Sequence, residues 1–154
     1  MLPSDHRRPS AESAPALDSS AWEPDFKVDW EAHLEALPCA TWIGNPTGGS
    51  VFINQAYRRI LGVHSLDEVQ GDRWNKHIHP DDRNSYVKAW ERFMNGLSSR
   101  FKESVRWVRP DTGQTTRIVV RAQKLLCGQL QGWIRTAAAE QALAKLEKLT
   151  YVRR

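Results

Sequence analysis

Trp74-Asn75-Lys76-His77-Ile78-His79-Pro80-Asp81-Asp82-Arg83 ends an apolar segment and starts a helix within a few residues. His79 suits the N-cap or the position just before it, and Pro80 suits the first helical position, where no amide donor is needed. Asp81 and Asp82 then set negative charge against the exposed amides and the positive end of the helix dipole. The spacing predicts a helix from Pro80 to about Asn95. Tyr86, Val87, Trp90, Phe93 and Met94 form its apolar stripe, and Asn95-Gly96 its stop.

Upstream, the apolar runs Ala40 to Asn45 and Ser50 to Ile53 flank Pro46-Thr47-Gly48-Gly49, a turn-forming cluster, which predicts a hairpin. Asn54 follows directly, and Ala56, Tyr57, Ile60 and Leu61 recur at helical spacing until Gly62, so a short helix grows from the second strand. Ser65 and Glu68 have capping-box spacing, which predicts a second small helix. Downstream the period changes to alternation. Phe101, Val105 and Trp107, then Ile118, Val120 and Ala122, flank the reversal Pro110-Asp111-Thr112-Gly113. A third strand runs from Gln129 to Thr136 with Leu130, Trp133 and Ile134. Two strands, short helices, a longer helix and three strands make an α+β domain, an antiparallel sheet covered on one face by helices.

The chain has 154 residues, 40% of them hydrophobic, enough for one core with appendages. Residues 1–25 hold four of the eight prolines and no period that could bury a face, and they are expected to be a disordered tail. A flanking helix is expected within 26–37, with Trp30, Leu34 and Leu37 at helical spacing and Pro38 as its end. Residues 137–154 predict a closing helix. Its Ala139, Ala142, Leu146 and Leu149 are spaced three, four and three apart, as a coiled-coil seam requires, with Leu143 alongside. That helix either packs on its own sheet or pairs with a second copy.

The net charge of +4 is spread among Asp and Glu rather than gathered, which argues against nucleic acid. Cys39 and Cys127 cannot build a zinc site by themselves, and a reduced, cytoplasmic protein fits them best. No run approaches the ~18 apolar residues of a membrane helix, and the amino terminus lacks the apolar centre of a signal peptide.

Residues 38–136 resemble the PAS family of sensory and interaction domains. The resemblance is carried by the Thr41 to Ile53 hairpin, the Asn54-Gln55-Ala56-Tyr57 helix start, Ile78-His79-Pro80-Asp81-Asp82-Arg83, and closing strands that include Arg109-Pro110-Asp111 and Gly132-Trp133-Ile134. It implies a five-stranded antiparallel sheet with helices packed on one face, plus flanking N- and C-terminal helices. It also implies a regulatory role of the kind seen in histidine kinases, cyclic-dinucleotide enzymes and transcription regulators, where such domains sense a ligand or mediate dimerisation. Many family members end the last strand in an Asp-Ile-Thr-like motif that couples the domain to its effector. Here the sequence runs Ala137-Ala138-Ala139-Glu140-Gln141, and only one helix follows. Output is therefore expected to pass through a partner, unless the chain is a fragment of a larger signalling protein.

His77 and His79 beside Asp81 and Asp82 invite an acid–base or metal reading. Adjacent helix residues point about 100° apart, however, and capping explains the carboxylates, so no catalytic or metal site is expected. No nucleophile elbow, P-loop lysine or HExxH pair occurs. No cysteine lies between Cys39 and Cys127, so the covalent flavin chemistry of some relatives is not expected. Haem would need an axial ligand, for which His77 is the candidate.

The candidate pocket for an apolar or aromatic small molecule comprises Tyr57, Trp74, His77, Ile78, Trp107 and Val120, where helices meet the inner face of the sheet. The candidate dimer or partner surface comprises Trp30, Leu34, Leu37, Ala142, Leu146 and Leu149. The leading expectation is a non-enzymatic signalling module, a homodimer or the binder of a protein partner, with a small-molecule ligand as an optional signal. A filled-core interaction domain and a haem or redox sensor are the alternatives.

Overall fold

The computed structural model describes residues 29–152. The expected disordered tail, 1–25, lies outside them. Helix α1 (Trp30–Ala36) leads into strands β1 (Ala40–Gly44) and β2 (Ser50–Ile53). Then come α2 (Gln55–Leu61), two 3-10 turns (Leu66–Glu68 and Arg73–His77) and α3 (Pro80–Met94). Strands β3 (Arg100–Val108), β4 (Thr115–Lys124) and β5 (Leu130–Thr136) precede α4 (Ala137–Val152). All strand pairs are antiparallel, in the order β2-β1-β5-β4-β3. The last strand thus occupies the centre and joins the two hairpins, pairing Trp42 with Gly132 on one side and Ala122 with Gly132 on the other. This is the α+β architecture that the resemblance implies.

The helix boundaries fall where local chemistry puts them. Asp29 caps α1 by accepting from the Ala32 amide at 3.1 Å. His79 caps α3, its Nδ1 accepting from the Asp81 amide at 3.2 Å, with Pro80 at the first position. Ser65 and Glu68 close the expected capping box. Gly62 ends α2 at φ 68°, a left-handed conformation, and a Cβ there would collide with the Asp111 carboxylate. The turn at Arg73–His77 was not expected, because five residues are too few to display a period.

Asn54 ties the amino-terminal half together. It is fully buried, and its Oδ1 accepts from the amides of Thr41 and Tyr57, each at 2.9 Å. Its Nδ2 donates to the carbonyls of Leu34 and Cys39, also at 2.9 Å. One side chain thereby links α1, β1, β2 and α2.

Candidate functional site

The inner positions of the sheet, together with α2, α3 and the Arg73–His77 turn, enclose an aromatic cavity. Its walls include Trp42, Tyr57, Trp74, Tyr86, Trp90 and Trp107, with Ile78, Val105, Ile118, Val120 and Ile134 between them. Trp90 is the hub. Its ring centroid lies 5.8 Å from those of Trp42 and Trp74, 5.4 Å from Phe93 and 5.0 Å from Phe101, mostly in tilted or edge-on geometry. The remaining cavity volume is about 30 Å³, room for a water molecule or two. Tyr57 and Tyr86 are 3% and 7% exposed, and no described residue accepts a hydrogen bond from either hydroxyl. Burial pushes both phenols well above their ordinary pKa, so they remain neutral donors. A water, or one small acceptor group, is what this space and these donors suit.

Of the residues picked from sequence, Tyr57, Trp74, Ile78, Trp107 and Val120 all line this cavity. His77 does not. Its Nε2 lies 3.0 Å from the Glu68 carbonyl and its ring packs against Trp107 at 5.1 Å, outside the cavity walls. With Nε2 on the Glu68 carbonyl and the ring outside the cavity walls, His77 does not face a ligand in this cavity. Trp42, Tyr86, Trp90, Val105, Ile118 and Ile134 line it too, outside the candidate set. The helical stripe through Tyr86 and the strand parity of Ile134 were the signals for those two.

The helix junction proves to be more than a cap. Ile78 bridges to Trp107 on β3, and the His79 amide donates to the Arg106 carbonyl at 2.9 Å. Asp82, expected to serve only the helix end, instead reaches β3. It accepts from the Arg106 amide at 2.9 Å and from the Arg106 guanidinium at 3.0 and 2.8 Å. The capping account was therefore incomplete: the partner stands on another element, and the carboxylate fixes α3 to the sheet edge.

The hydrogen bonds from Arg106 hold the Asp82 carboxyl well below the usual carboxylate range. A depressed folded-state pKa contributes stability that is complete above the unfolded value, about 3.9, and is lost as pH falls through the folded one. Asp82→Asn is expected to lower stability at pH 7 and to lose that deficit progressively below about pH 4. Urea denaturation at pH 7 and at about pH 2 checks it, and a deficit independent of pH contradicts it.

The terminal helices differ in attachment. Trp30 is 51% exposed and meets Phe52 edge-on at 5.9 Å, while Leu34 and Leu37 are half-buried. The start of α4 is held by Thr136, whose hydroxyl accepts from the Ala139 amide at 3.2 Å, and by Glu140, which pairs with Arg121 and lies 3.6 Å from Arg135. From Gln141 to Thr150 every residue is exposed, although Leu143 still lines a hollow of its own domain with Pro38, Ile60 and Ile134. No described helix is long and apolar enough to cross a membrane. No cluster of His, Cys, Asp and Glu among the described residues has metal-binding geometry.

Residues 50–132 match a family model described as PAS fold. No curated protein matches the chain. Among solved structures, the PAS domain of an HTR-like protein from Haloarcula marismortui is 20% identical, with a TM-score of 0.54 over 77% of this chain and 97% of that one. A sensory box histidine kinase/response regulator from Burkholderia thailandensis is 19% identical, with a TM-score of 0.53 over 80% and 95%. A domain of a sensory box sensor histidine kinase/response regulator from Geobacter sulfurreducens is 15% identical, with a TM-score of 0.56 over 78% and 99%. At these identities the likeness is one of fold.

Proposed function

This chain belongs to the PAS-fold family, and from that premise we propose that it is a regulatory module of signal transduction, without catalysis of its own, that works by self-association through α4. The observation that carries the reading is the exposed stripe on α4. Leu143, Leu146 and Leu149 are 38%, 58% and 59% exposed, and Ala142 lies on the same seam. A helix of this length that meets its own domain only as far as Leu143 and leaves Leu146 and Leu149 exposed is marginal in water, because packing of an apolar face supplies most helical stability. Spacing of three and four is what a second α4 would accept as knobs into holes. A different protein offering a similar helix would serve equally, and this is the form that coupling to a signalling partner takes.

Sedimentation equilibrium of the full chain over a range of concentrations tests the proposal. The mass is expected to rise from 17.6 kDa toward twice that value. Leu146→Glu with Leu149→Glu should return it to the single-chain mass without altering the thermal melt. A single-chain mass at every concentration removes self-association.

The cavity favours a filled core over a ligand of metabolite size as the second reading. About 30 Å³ leaves no room for such a molecule unless Trp74 or Trp90 moves, and the aromatic contacts around Trp90 oppose that. Native mass spectrometry of the purified protein is expected to find the unliganded chain.

A further inference from the structure

The cations look scattered along the sequence, but the sheet collects them. Core residues take the inward positions of β3, β4 and β5, so Arg100, Lys102, Arg106, Arg117, Arg121 and Arg135 occupy outward ones. Glu103, the one carboxylate on these strands, stands at an inward position opposite Val120.

Register then sets like charge against like charge. Lys102 is directly opposite Arg121, and Arg106 is directly opposite Arg117. Opposed side chains start about 5 Å apart, and like charges so placed destabilise a sheet. The two cation pairs are four residues apart on both strands, about 13 Å at ~3.3 Å per residue, with the uncharged Ser104 and Val119 between them.

Carboxylates from the helices meet one cation of each pair. Asp82 accepts hydrogen bonds from the Arg106 guanidinium, with Asp81 3.8 Å away, and Glu140 of α4 pairs with Arg121 and lies 3.6 Å from Arg135. Hydrogen bonds from Arg121, with the nearby charges of Arg135 and Lys102, hold the Glu140 carboxyl below its ordinary range, so this face favours a carboxylate set against it. The other member of each pair, Lys102 and Arg117, is exposed and has no carboxylate within ion-pair distance among the described residues, and the same is true of Arg100.

We propose that the outer face of β3 and β4 docks an acidic segment of a partner protein, which sets one carboxylate on Lys102 and another on Arg117, ~13 Å apart along the strands. Such contacts relieve the two like-charge pairs, which nothing in the domain itself requires. A second copy of this chain is a poor occupant, because it brings the same net charge of +4 and the same cationic face. Complementary charge of this kind steers encounter and fixes register more than it adds affinity. The face and the α4 seam are separate surfaces, and either can act without the other.

Titration of the nitrogen-15-labelled full chain with deca-glutamate at low salt, followed by NMR, is the test. The amides of β3 and β4 are expected to shift and those of α2 to stay. Lys102→Thr with Arg117→Thr should weaken binding by about fivefold or more, the worth of two exposed ion pairs. Lys88→Gln with Arg92→Gln removes as much charge from the helical layer and should change binding by less than about twofold. Because the first variant takes one cation from each like-charge pair, its melting temperature should hold or rise. Absence of shifts at millimolar peptide overturns the proposal, as do shifts spread over the whole surface or equal weakening by both variants, which reduce the effect to net charge. Tighter binding of deca-thymidylate than of deca-glutamate also overturns it and makes the face a nucleic-acid surface. A melt several degrees lower in the first variant overturns it too, since the cations would then serve stability.

Discussion

Asn54→Ala is expected to destabilise the domain by about 3–5 kcal/mol, a large share of the 5–15 kcal/mol that holds a typical domain together. Removing the carboxamide leaves the Thr41 and Tyr57 amides and the Leu34 and Cys39 carbonyls without their partner, in a site closed to water. Each orphaned buried group costs about 1–3 kcal/mol, and partial relaxation keeps the sum below four full penalties. Asn54→Asp is the sharper variant. It keeps the size and the acceptor oxygen but loses both donors, and it places negative charge against two carbonyls. It should be at least as damaging as alanine, which separates a hydrogen-bonding role from simple packing. Denaturant unfolding followed by circular dichroism measures both variants, and a loss under ~1 kcal/mol for either would contradict this account. Because one of the bonds is to Leu34, hydrogen exchange in α1 should rise before that in β3 and β4.

Gly132→Ala is expected to cost about 3 kcal/mol, at the upper end of what overpacking a core does. Gly132 sits at the centre of β5, between Trp42 on β1 and Ala122 on β4. The Trp42 indole lies across it, so that an added Cβ would fall within the ring itself. Trp42 has no free side to retreat to, being 6% exposed and packed against Trp90 at 5.8 Å. The collision therefore passes into the aromatic cluster around the cavity. The partner variant makes the cause measurable. With Trp42→Leu in place the ring is gone, and adding Gly132→Ala should then cost little, a coupling of about 2 kcal/mol in a double-mutant cycle. Additive costs would mean that the glycine matters for its backbone and not for the indole above it.

Much of the architecture was legible because it is local. The N-cap at His79 with Pro80 behind it, the capping box from Ser65 to Glu68, the stop at Gly62 and the alternation along β3 and β4 are all decided within a few residues. The cavity walls were partly legible for the same reason. Strand parity put Trp107 and Val120 on one face, and helical spacing put Tyr57 beneath them, with no knowledge of register. His77 stands outside the cavity walls because its ring meets the Glu68 carbonyl of the preceding turn, and no periodicity encodes a nine-residue reach between two turns.

The sequence by itself thus determined the helices and strands other than the turn at Arg73–His77, and which family the chain resembles, because caps, turns and periods act over one or two turns of chain. Only the tertiary structure decided what those segments do to one another. It turned Asp82 from a helix cap into the clamp on Arg106, 24 residues away. It gave Asn54 four partners, on α1, β1, α2 and the link between α1 and β1. It left Leu146 and Leu149 of α4 exposed and drew scattered arginines onto a single face. Each of these depends on strand order and register, which bring distant residues within the few ångströms over which hydrogen bonds, ion pairs and packing act.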